Sequence, residues 1–328
     1  MEVGDEPLLK VRSMNVKLAA RNRLISVVEK VDFDVFEGKV SGIAGESGSG
    51  KTVSMMAILG LLPHGSIVSG HAFYGGQDLL VSSEKRLAKV RGKEIALIMQ
   101  DPHSSLHPML SVGVQLSDHV RHHLKLSRED AREHSIDLLH QVRIPNPAAS
   151  FTAYPHQFSG GMRQRIAIAI ALACGPKIII ADEPTTGLDV TVQAGILHLL
   201  RELGERRGLA ILLITHDLGV MSAIADRVTI MYAGRVVETG TAEDVIGSPR
   251  HPYTAALLAA LPHPERPETD LVPIPGQLGP PGLRPSGCAF HPRCQYAKSQ
   301  CSSVVPDLVE VRPGRSHACL VDPFMATL

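Results

Sequence analysis

Residues 45–52 read Gly45-Glu46-Ser47-Gly48-Ser49-Gly50-Lys51-Thr52 and match the pattern G-x-x-x-x-G-K-[ST] at every fixed position. The apolar run before them predicts a buried strand over residues 40–44, and the run after them predicts a helix over residues 53–62. In that setting the glycines let backbone N–H groups turn inward around phosphate oxygens, at the positive end of the helix. The sequence therefore predicts a nucleotide site whose binding residues are Gly45, Ser47, Gly48, Ser49, Gly50, Lys51 and Thr52, with Lys51 supplying charge and Thr52 a hydroxyl for Mg²⁺.

The composition of the whole chain limits what such a site can serve. The chain has 328 residues with 33 basic and 33 acidic side chains, and this balance argues against a dedicated nucleic-acid binder. No apolar run approaches the roughly 18 to 20 residues that a membrane span needs. The first ten residues carry three acidic side chains and no apolar segment, which is not typical of a secretory signal. We therefore expect a cytosolic protein whose membrane role, if it has one, depends on a partner.

The chain is organised as an α/β domain followed by a different kind of tail. From residue 8 to about residue 246, short β-rich runs alternate with helical stretches, a pattern typical of a mostly parallel sheet. Residues 102–157 show helical spacing and no strand signal, so we expect a helical insertion there. Residues 249–292 hold 11 of the 23 prolines, which disfavours long helices and central strands. We predict one domain over residues 1–248 and a small appendix over residues 249–328.

Two further segments carry residues suited to phosphate hydrolysis. The apolar run over residues 178–181 ends in Asp182 and Glu183, and neighbouring side chains on a strand point to opposite faces. Asp182 suits the Mg²⁺ shell, and Glu183 is left to act as general base on the attacking water. Gln100 and His216 each follow an apolar run, at the strand ends where open α/β sheets bind ligands. We expect Gln100 to reach Mg²⁺ or water and His216 to sense the γ-phosphate.

The segment Phe158-Ser159-Gly160-Gly161-Met162-Arg163-Gln164-Arg165 resembles the signature sequence of ABC transporter ATPases. The resemblance covers about residues 8–248 and implies an ABC nucleotide-binding domain, with a RecA-like α/β core and a helical subdomain. It implies that ATP and Mg²⁺ are bound and that two such domains pack head to tail around two ATP molecules. Ser159, Gly160 and Gly161 would then contact the γ-phosphate held by the other domain, and Asp189 would lie in the loop that links the two sites.

A narrower resemblance rests on residues 154–161, on residues 182–193 and on His251-Pro252-Tyr253-Thr254, which are similar to the oligopeptide/dipeptide importer ATPases of the D type. That group also includes importers of nickel, opines and related solutes. The resemblance implies an ATPase subunit at the cytoplasmic face of the membrane. Its partners would be two transmembrane permease subunits, a second and non-identical ABC ATPase, and an extracytoplasmic solute-binding protein, with no nucleic acid.

Two other functional classes also contain phosphate-binding loops. Soluble ABC ATPases of translation or repair usually carry two cassettes or a long coiled coil, and neither pattern is present. A P-loop kinase has no need of a signature loop that acts on another subunit. One departure from the wider family concerns the base: residues 8–32 contain no aromatic side chain to stack on adenine, and Leu18 falls near that place.

Four of the five cysteines lie in the tail, with the spacing C-x5-C-x6-C-x17-C: Cys288, Cys294, Cys301 and Cys319. Four thiolates suit Zn²⁺ or an iron–sulfur cluster, and the spacing leaves zinc, a cluster and free thiols all open. The segment 287–294 is similar to importer ATPases in which four cysteines hold a [4Fe–4S] cluster, so the resemblance favours the cluster. Under the zinc alternative, His291 and His317 could replace a thiolate. Cys174 is expected to be a buried apolar residue.

Overall fold

The computed structural model describes residues 6–20, 23–101, 105–261 and 272–324. Within these ranges the strands are β1 (Leu9–Ala20), β2 (Arg23–Val35), β3 (Val40–Ala44), β4 (Ile67–Tyr74), β5 (Gln77–Asp78), β6 (Ile95–Ile98), β7 (Ile178–Asp182), β8 (Ala210–Thr215), β9 (Arg227–Tyr232), β10 (Arg235–Thr241), β11 (Val309–Arg312) and β12 (Arg315–His317). The helices are α1 (Lys51–Ile58), α2 (Glu84–Val90), α3 (Val112–Leu124), α4 (Arg128–Gln141), α5 (Pro147–Ser150), α6 (Gly160–Leu172), α7 (Val190–Arg207), α8 (Leu218–Ile224), α9 (Ala242–Gly247) and α10 (Pro252–Ala259).

The chain divides into two compact units. The first unit contains residues 1–36, 40–82 and 214–328, and the second contains residues 37–39 and 83–213. The tail beyond residue 248 thus belongs to the same unit as the N-terminal strands and the phosphate-binding loop. The predicted domain boundary at residue 248 does not separate the two units, and it stays a prediction.

The first unit is built on two sets of strands. One is an antiparallel sheet in the order β2-β1-β4-β5, in which Leu9 pairs with both Val35 and Tyr74. The other follows the order β11-β12-β10-β9-β3, with β3 parallel to β9 and the remaining pairs antiparallel. β3 is buried at all five positions, as expected for a short apolar strand with both faces covered.

The second unit combines short parallel strands with helices. β6 pairs in parallel with β7, and β8 lies on the other side of β7. The helices begin at serine caps: Ser111 Oγ accepts from Val114 N at the start of α3, and Ser127 Oγ accepts from Asp130 N at the start of α4. Residues 105–157 form helices and turns without a strand, and residues 102–104 lie outside the described part. The helical subdomain over residues 102–157 stays a prediction.

The elements predicted around the phosphate-binding loop agree with the structure, whereas β1, β2, β4 and β5 form an antiparallel sheet and are not part of a mostly parallel one as predicted. The strand over residues 40–44 is confirmed, and the helix after it begins two residues earlier than predicted and ends at Ile58. Gly60, with φ 63°, takes the left-handed conformation that commonly closes a helix. In the tail, β12 pairs with β10, with Glu238 opposite His317, and no local sequence signal predicts this addition. Across the described ranges, no helix is both long and apolar enough to span a membrane.

Candidate nucleotide-binding and hydrolysis site

The phosphate-binding loop lies in the first unit, between β3 and α1. Gly45 has φ 150°, and a Cβ at this position would lie 2.1 Å from the carbonyl oxygen of Met231. No larger residue fits, so the loop requires glycine here. Lys51 begins α1 and is 5% exposed, and its Nζ donates to the carbonyl oxygens of Gly45 at 2.6 Å and Glu46 at 3.0 Å. The ammonium group is thereby held against the loop that is predicted to bind phosphate.

The other predicted loop residues divide into exposed and buried positions. Ser47, Gly48 and Thr52 are exposed, so a ligand can reach them. Ser49 is fully buried, and within the described residues its Oγ has no hydrogen-bond partner. A ligand does not reach this hydroxyl in the conformation described, so the predicted binding role of Ser49 stays a prediction.

Two residues of the tail hold the loop from outside. The backbone N–H of Glu46 donates to the hydroxyl of Tyr253 at 2.9 Å. The guanidinium of Arg293 donates to Glu46 Oε2, also at 2.9 Å, and to the hydroxyl of Tyr232 at 3.3 Å. Burial raises the pKa of Tyr253, so its hydroxyl stays neutral and able to accept. Sequence reasoning missed this clamp, which we define as Tyr253 and Arg293 acting on Glu46.

The predicted hydrolytic carboxylates lie in the second unit. β7 is buried throughout and ends at Asp182, which is 4% exposed. Glu183 follows with φ 45°, and its Oε2 accepts from Gln100 Nε2 at 2.9 Å and from Thr186 Oγ1 at 3.0 Å. The structure thus brings Gln100 and Glu183 together, as their predicted roles require. Thr186 was missed by sequence reasoning, although it lies in the turn that follows the two acids.

The signature residues lie at the start of α6. Ser159 is exposed and caps the helix, with its Oγ accepting from Met162 N at 3.3 Å. A Cβ at Gly161 would lie 2.4 Å from Val192 Cγ1, so glycine lets the start of α6 approach α7 closely. Asp189 caps α7, and its Oδ1 accepts from Val192 N at 2.9 Å. The capping bond gives Asp189 a structural task beside its predicted one.

His216 lies in the first unit, directly after β8, and is exposed. The next residue, Asp217, caps α8, and its Oδ1 accepts from Gly219 N at 2.7 Å and Val220 N at 3.3 Å. Strand and capped helix together fix the backbone on both sides of His216. This location agrees with the strand-end position predicted for it.

The four tail cysteines gather around one cavity, which Cys288, Cys294, Cys301 and Cys319 all line. The backbone N–H of Cys288 donates to the carbonyl oxygen of Cys301 at 2.8 Å and joins the two segments. Burial, and after it the neighbouring thiols, raise the pKa of Cys288 and Cys294. In the part of the chain that the structure describes, however, no group of three or more His, Cys, Asp or Glu side chains is placed to hold a metal ion. Neither the cluster nor zinc therefore gains support from the geometry as it stands.

The two histidines named for the zinc alternative have other contacts. His291 Nδ1 lies 2.9 Å from the carbonyl oxygen of Cys288, and His317 Nε2 lies 3.4 Å from Asp322 Oδ2. Cys174 is 8% exposed, and burial raises its pKa to about 11, which confirms the prediction of an inert buried residue.

Comparison with protein-family models finds two matches. Residues 28–186 match the family described as ABC transporter, and residues 237–301 match the family described as oligopeptide/dipeptide transporter, C-terminal region. The second match includes both residues of the clamp, Tyr253 and Arg293, and three of the four tail cysteines.

Similar proteins cover nearly the whole chain. The dipeptide transport ATP-binding protein DppD of Escherichia coli (strain K12) is 44% identical over 313 residues, which are 95% of this chain and 96% of that protein. The oligopeptide transport ATP-binding protein OppD of Haemophilus influenzae is 43% identical over 95% of this chain and 97% of its own length. Among solved structures, the dimeric bacterial ABC transporter cassette MJ0796 matches with a TM-score of 0.63 and 26% identity, over 71% of this chain and 98% of that chain. The cassette cbiO1 from Clostridium perfringens matches with a TM-score of 0.64 and 27% identity, over 74% and 92% of the respective chains.

Proposed function

The chain belongs to the family of ABC transporter ATP-binding proteins, and from this we propose that it is the ATP-hydrolysing subunit of an importer of dipeptides or oligopeptides. One observation carries the proposal: the similarity to named peptide-transport subunits extends over 95% of the chain and includes the tail. A cassette alone would indicate ATP hydrolysis without indicating the transported solute.

The phosphate-binding loop holds the triphosphate of ATP. Its exposed positions Ser47 and Gly48 offer backbone N–H groups, and Lys51 offers a positive charge. The clamp on Glu46 keeps the loop in one conformation before ATP arrives, so less conformational entropy is lost on binding.

Hydrolysis depends on Glu183 as general base. Gln100 and Thr186 donate to the same carboxylate oxygen and hold the carboxylate in place, so that it can accept a proton from the attacking water. Thr52, Asp182 and Gln100 supply the hydroxyl, carboxylate and amide oxygens that Mg²⁺ prefers, and these are the residues that would hold it. Bound there, Mg²⁺ would neutralise charge on the phosphates.

The assembly follows from the family. Ser159, Gly160 and Gly161 act on ATP held by a second ABC ATPase subunit, and Asp189 lies between the two sites. Two permease subunits and a solute-binding protein complete the importer, and this subunit sits peripherally at the cytoplasmic face of the membrane. Within the chain, residues 1–248 form the cassette, with its helical subdomain over residues 102–157, and residues 249–328 form the tail.

The test is uptake of labelled dipeptide by cells that carry the complete importer with a Glu183→Gln subunit. We expect uptake to fall by at least about 100-fold, the usual size of a general-base contribution, while the purified variant still binds ATP. Glu205→Gln is the matched control, because Glu205 is an exposed carboxylate on α7. Loss of nickel or opine uptake with peptide uptake intact would reassign the solute, and uptake unaffected by Glu183→Gln would contradict the role of the base.

For the tail we propose that Cys288, Cys294, Cys301 and Cys319 hold a [4Fe–4S] cluster, with Zn²⁺ as the alternative. The support is the similarity of segment 287–294 to importer ATPases in which four cysteines hold such a cluster, with one thiolate on each iron. The geometry adds only that the four cysteines line one cavity. Iron, acid-labile sulfide and zinc are measured on anaerobically purified full-length chain, beside a Cys294→Ser variant and a Cys174→Ser control. About four irons and four sulfides per chain, lost only in Cys294→Ser, are expected. Zinc would select the alternative, and no metal would refute both.

A further inference from the structure

A cavity of about 380 Å³ opens beside the phosphate-binding loop, within the first unit. One of its walls contains Val27 from β2 and Gly48 from the loop itself, and Tyr232 and Ala233 adjoin them. The opposite wall is formed by residues 277–285 of the tail. The volume falls within the range of about 300–1,000 Å³ that is usual for small-molecule sites.

The tail wall is fixed in place by specific contacts. The guanidinium of Arg284 donates to the carbonyl oxygen of Val27 at 3.0 Å, to Glu29 Oε2 at 2.6 Å and to the carbonyl oxygen of Ala233. Gly282 lies so close to β2 that a Cβ there would be 2.6 Å from Ile25 Cγ2. Leu278 faces the loop, because its Cδ2 would lie 3.7 Å from a Cβ built on Gly48. The wall is therefore anchored to the same strand and the same loop that line the other side.

The chemistry of the cavity favours an uncharged, largely apolar group. Leu278, Pro280, Pro281 and Val27 line it with apolar side chains, and its other lining residues include Gly279 and Gly282, which expose backbone. Its two cations do not favour an anion, because Arg284 pairs with Glu29 and Arg293 pairs with Glu46. A purine base is uncharged and apolar on its faces, and it can form hydrogen bonds at its edge, so its chemistry matches this lining.

The cavity also lies where the base of ATP would fall if the loop holds the phosphates. Ligand phosphates held by the loop leave the ribose and base to extend past its edge, and Gly48 belongs to both loop and cavity. The chain has no aromatic side chain in residues 8–32 on which a base could stack. We propose, on the basis of the proposed ATPase function, that this cavity receives the base and ribose of ATP and that tail residues 277–285 form the base-binding wall. The tail then takes part in nucleotide recognition.

The first test is photolabelling of the full-length chain with 8-azido-ATP, followed by peptide mapping. The proposal expects the adduct on residues 277–285 or on their facing residues Val27 and Tyr232, with protection by excess ATP. An adduct confined to residues 9–20 would place the base on β1 and overturn the proposal, while leaving the ATPase function intact. A parent chain that neither binds ATP nor is labelled would refute the proposed function itself.

The second test compares dissociation constants for ATP and for inorganic tripolyphosphate in Leu278→Ala. We expect binding of ATP to weaken about fivefold, as for loss of part of an apolar contact, and binding of tripolyphosphate to be unchanged. Leu110→Ala is the matched control, because Leu110 is a partly exposed leucine in the second unit, where it does not line the cavity. If binding of ATP and of tripolyphosphate weakened equally, Leu278 would act only on the loop. If neither dissociation constant changed, Leu278 would make no contact with the base. Each of these results would overturn the proposal.

Discussion

Glu183 takes a left-handed backbone conformation, with φ 45°, at the end of a strand that is buried throughout. Such a conformation is unfavourable for a residue with a side chain, and it persists where the surroundings enforce it. The carboxylate of Glu183 is held by Gln100 and Thr186, both of which donate to Oε2. The direction of the Glu183 carboxylate therefore depends on these two neighbouring side chains as well as on the strand that precedes it.

The contribution of Thr186 can be isolated with two substitutions. Thr186→Ala removes one donor to Glu183, and we expect the single-turnover rate of ATP hydrolysis to fall about fivefold with ATP affinity unchanged, since one hydrogen bond is lost. Thr186→Ser keeps the hydroxyl and should restore most of the rate. Thr191→Ala, at an exposed position on α7, serves as control. Equal loss in the serine variant, or weaker ATP binding in the alanine variant, would show that Thr186 does not act by positioning Glu183.

At the scale of the element, the tail contributes contacts that are remote in sequence from the loop they support. Its short helix α10 brings Tyr253, and the single-turn helix His291–Arg293 brings Arg293, to the same residue of the phosphate-binding loop. The Arg293 side chain is 8% exposed, so its pairing with Glu46 is shielded from water. Removing one partner of a shielded ion pair destabilises a protein far more than removing one partner of a surface pair, because the remaining charge is left buried and unpaired.

Arg293→Ala should lower the free energy of unfolding by about 2 kcal/mol, the cost of losing a charged hydrogen bond at a buried position. Arg312→Ala is the matched control, because Arg312 pairs with Asp244 at the surface and is 53% exposed; its loss should cost less than about 0.5 kcal/mol. Urea unfolding of both variants measures the difference. If the two variants lost the same stability, the clamp would have no special importance.

Stability should also depend on pH through His251, which caps α10 with Nδ1 accepting from Tyr253 N at 3.0 Å. Burial, and after it the nearby His317, lower the pKa of His251 to about 3. An unfolded chain binds this proton below a pKa of about 6.5 and the folded chain does not, so stability falls as the pH drops from 6.5 towards 3. At pH 5 the loss is about 2 kcal/mol.

The pH prediction is checked by urea unfolding of His251→Asn at pH 7 and pH 5. Asparagine keeps a capping oxygen but does not titrate, so the difference between the two pH values should shrink. The control is His64→Asn, since His64 is exposed in a loop. An unchanged pH dependence in His251→Asn would rule out this residue as the source.

Whether a feature could be predicted from the sequence depends on how far apart its residues lie along the chain. The loop at Gly45 and the strand ending at Asp182 are set by residues within a few positions of one another, and they appear where predicted. The contacts of Glu46 with Tyr253 and Arg293 span 207 and 247 residues. No periodicity or spacing reports on such pairs, since they depend on how the tail returns to the loop.

At the scale of the whole molecule, the residues assigned to the reaction are divided between the two units. The phosphate-binding loop and His216 belong to the first unit, and Gln100, Asp182, Glu183 and the signature belong to the second. Under the proposed function, the signature of one subunit acts on the ATP of another, so one chain by itself would be an incomplete enzyme.

Turnover per chain should therefore be slow for the isolated protein and should rise with protein concentration, which a dilution series measures. Lys51→Ala and Ser159→Arg chains should each be inactive alone, and mixing them should restore partial activity if two copies of this chain pair. Rescue only by a distinct partner ATPase would show that the pair is non-identical. Fast turnover that stays constant on dilution would contradict the shared site.

The clamp on Glu46 has a consequence for anyone who recombines these proteins. Cutting the gene after codon 248 would look like a clean separation of cassette from appendix, yet it would discard both groups that hold Glu46. Joining the tail of one transporter to the cassette of another would likewise replace the clamp residues with those of a different protein. A hybrid transporter should therefore take its cassette and its tail from the same parent protein.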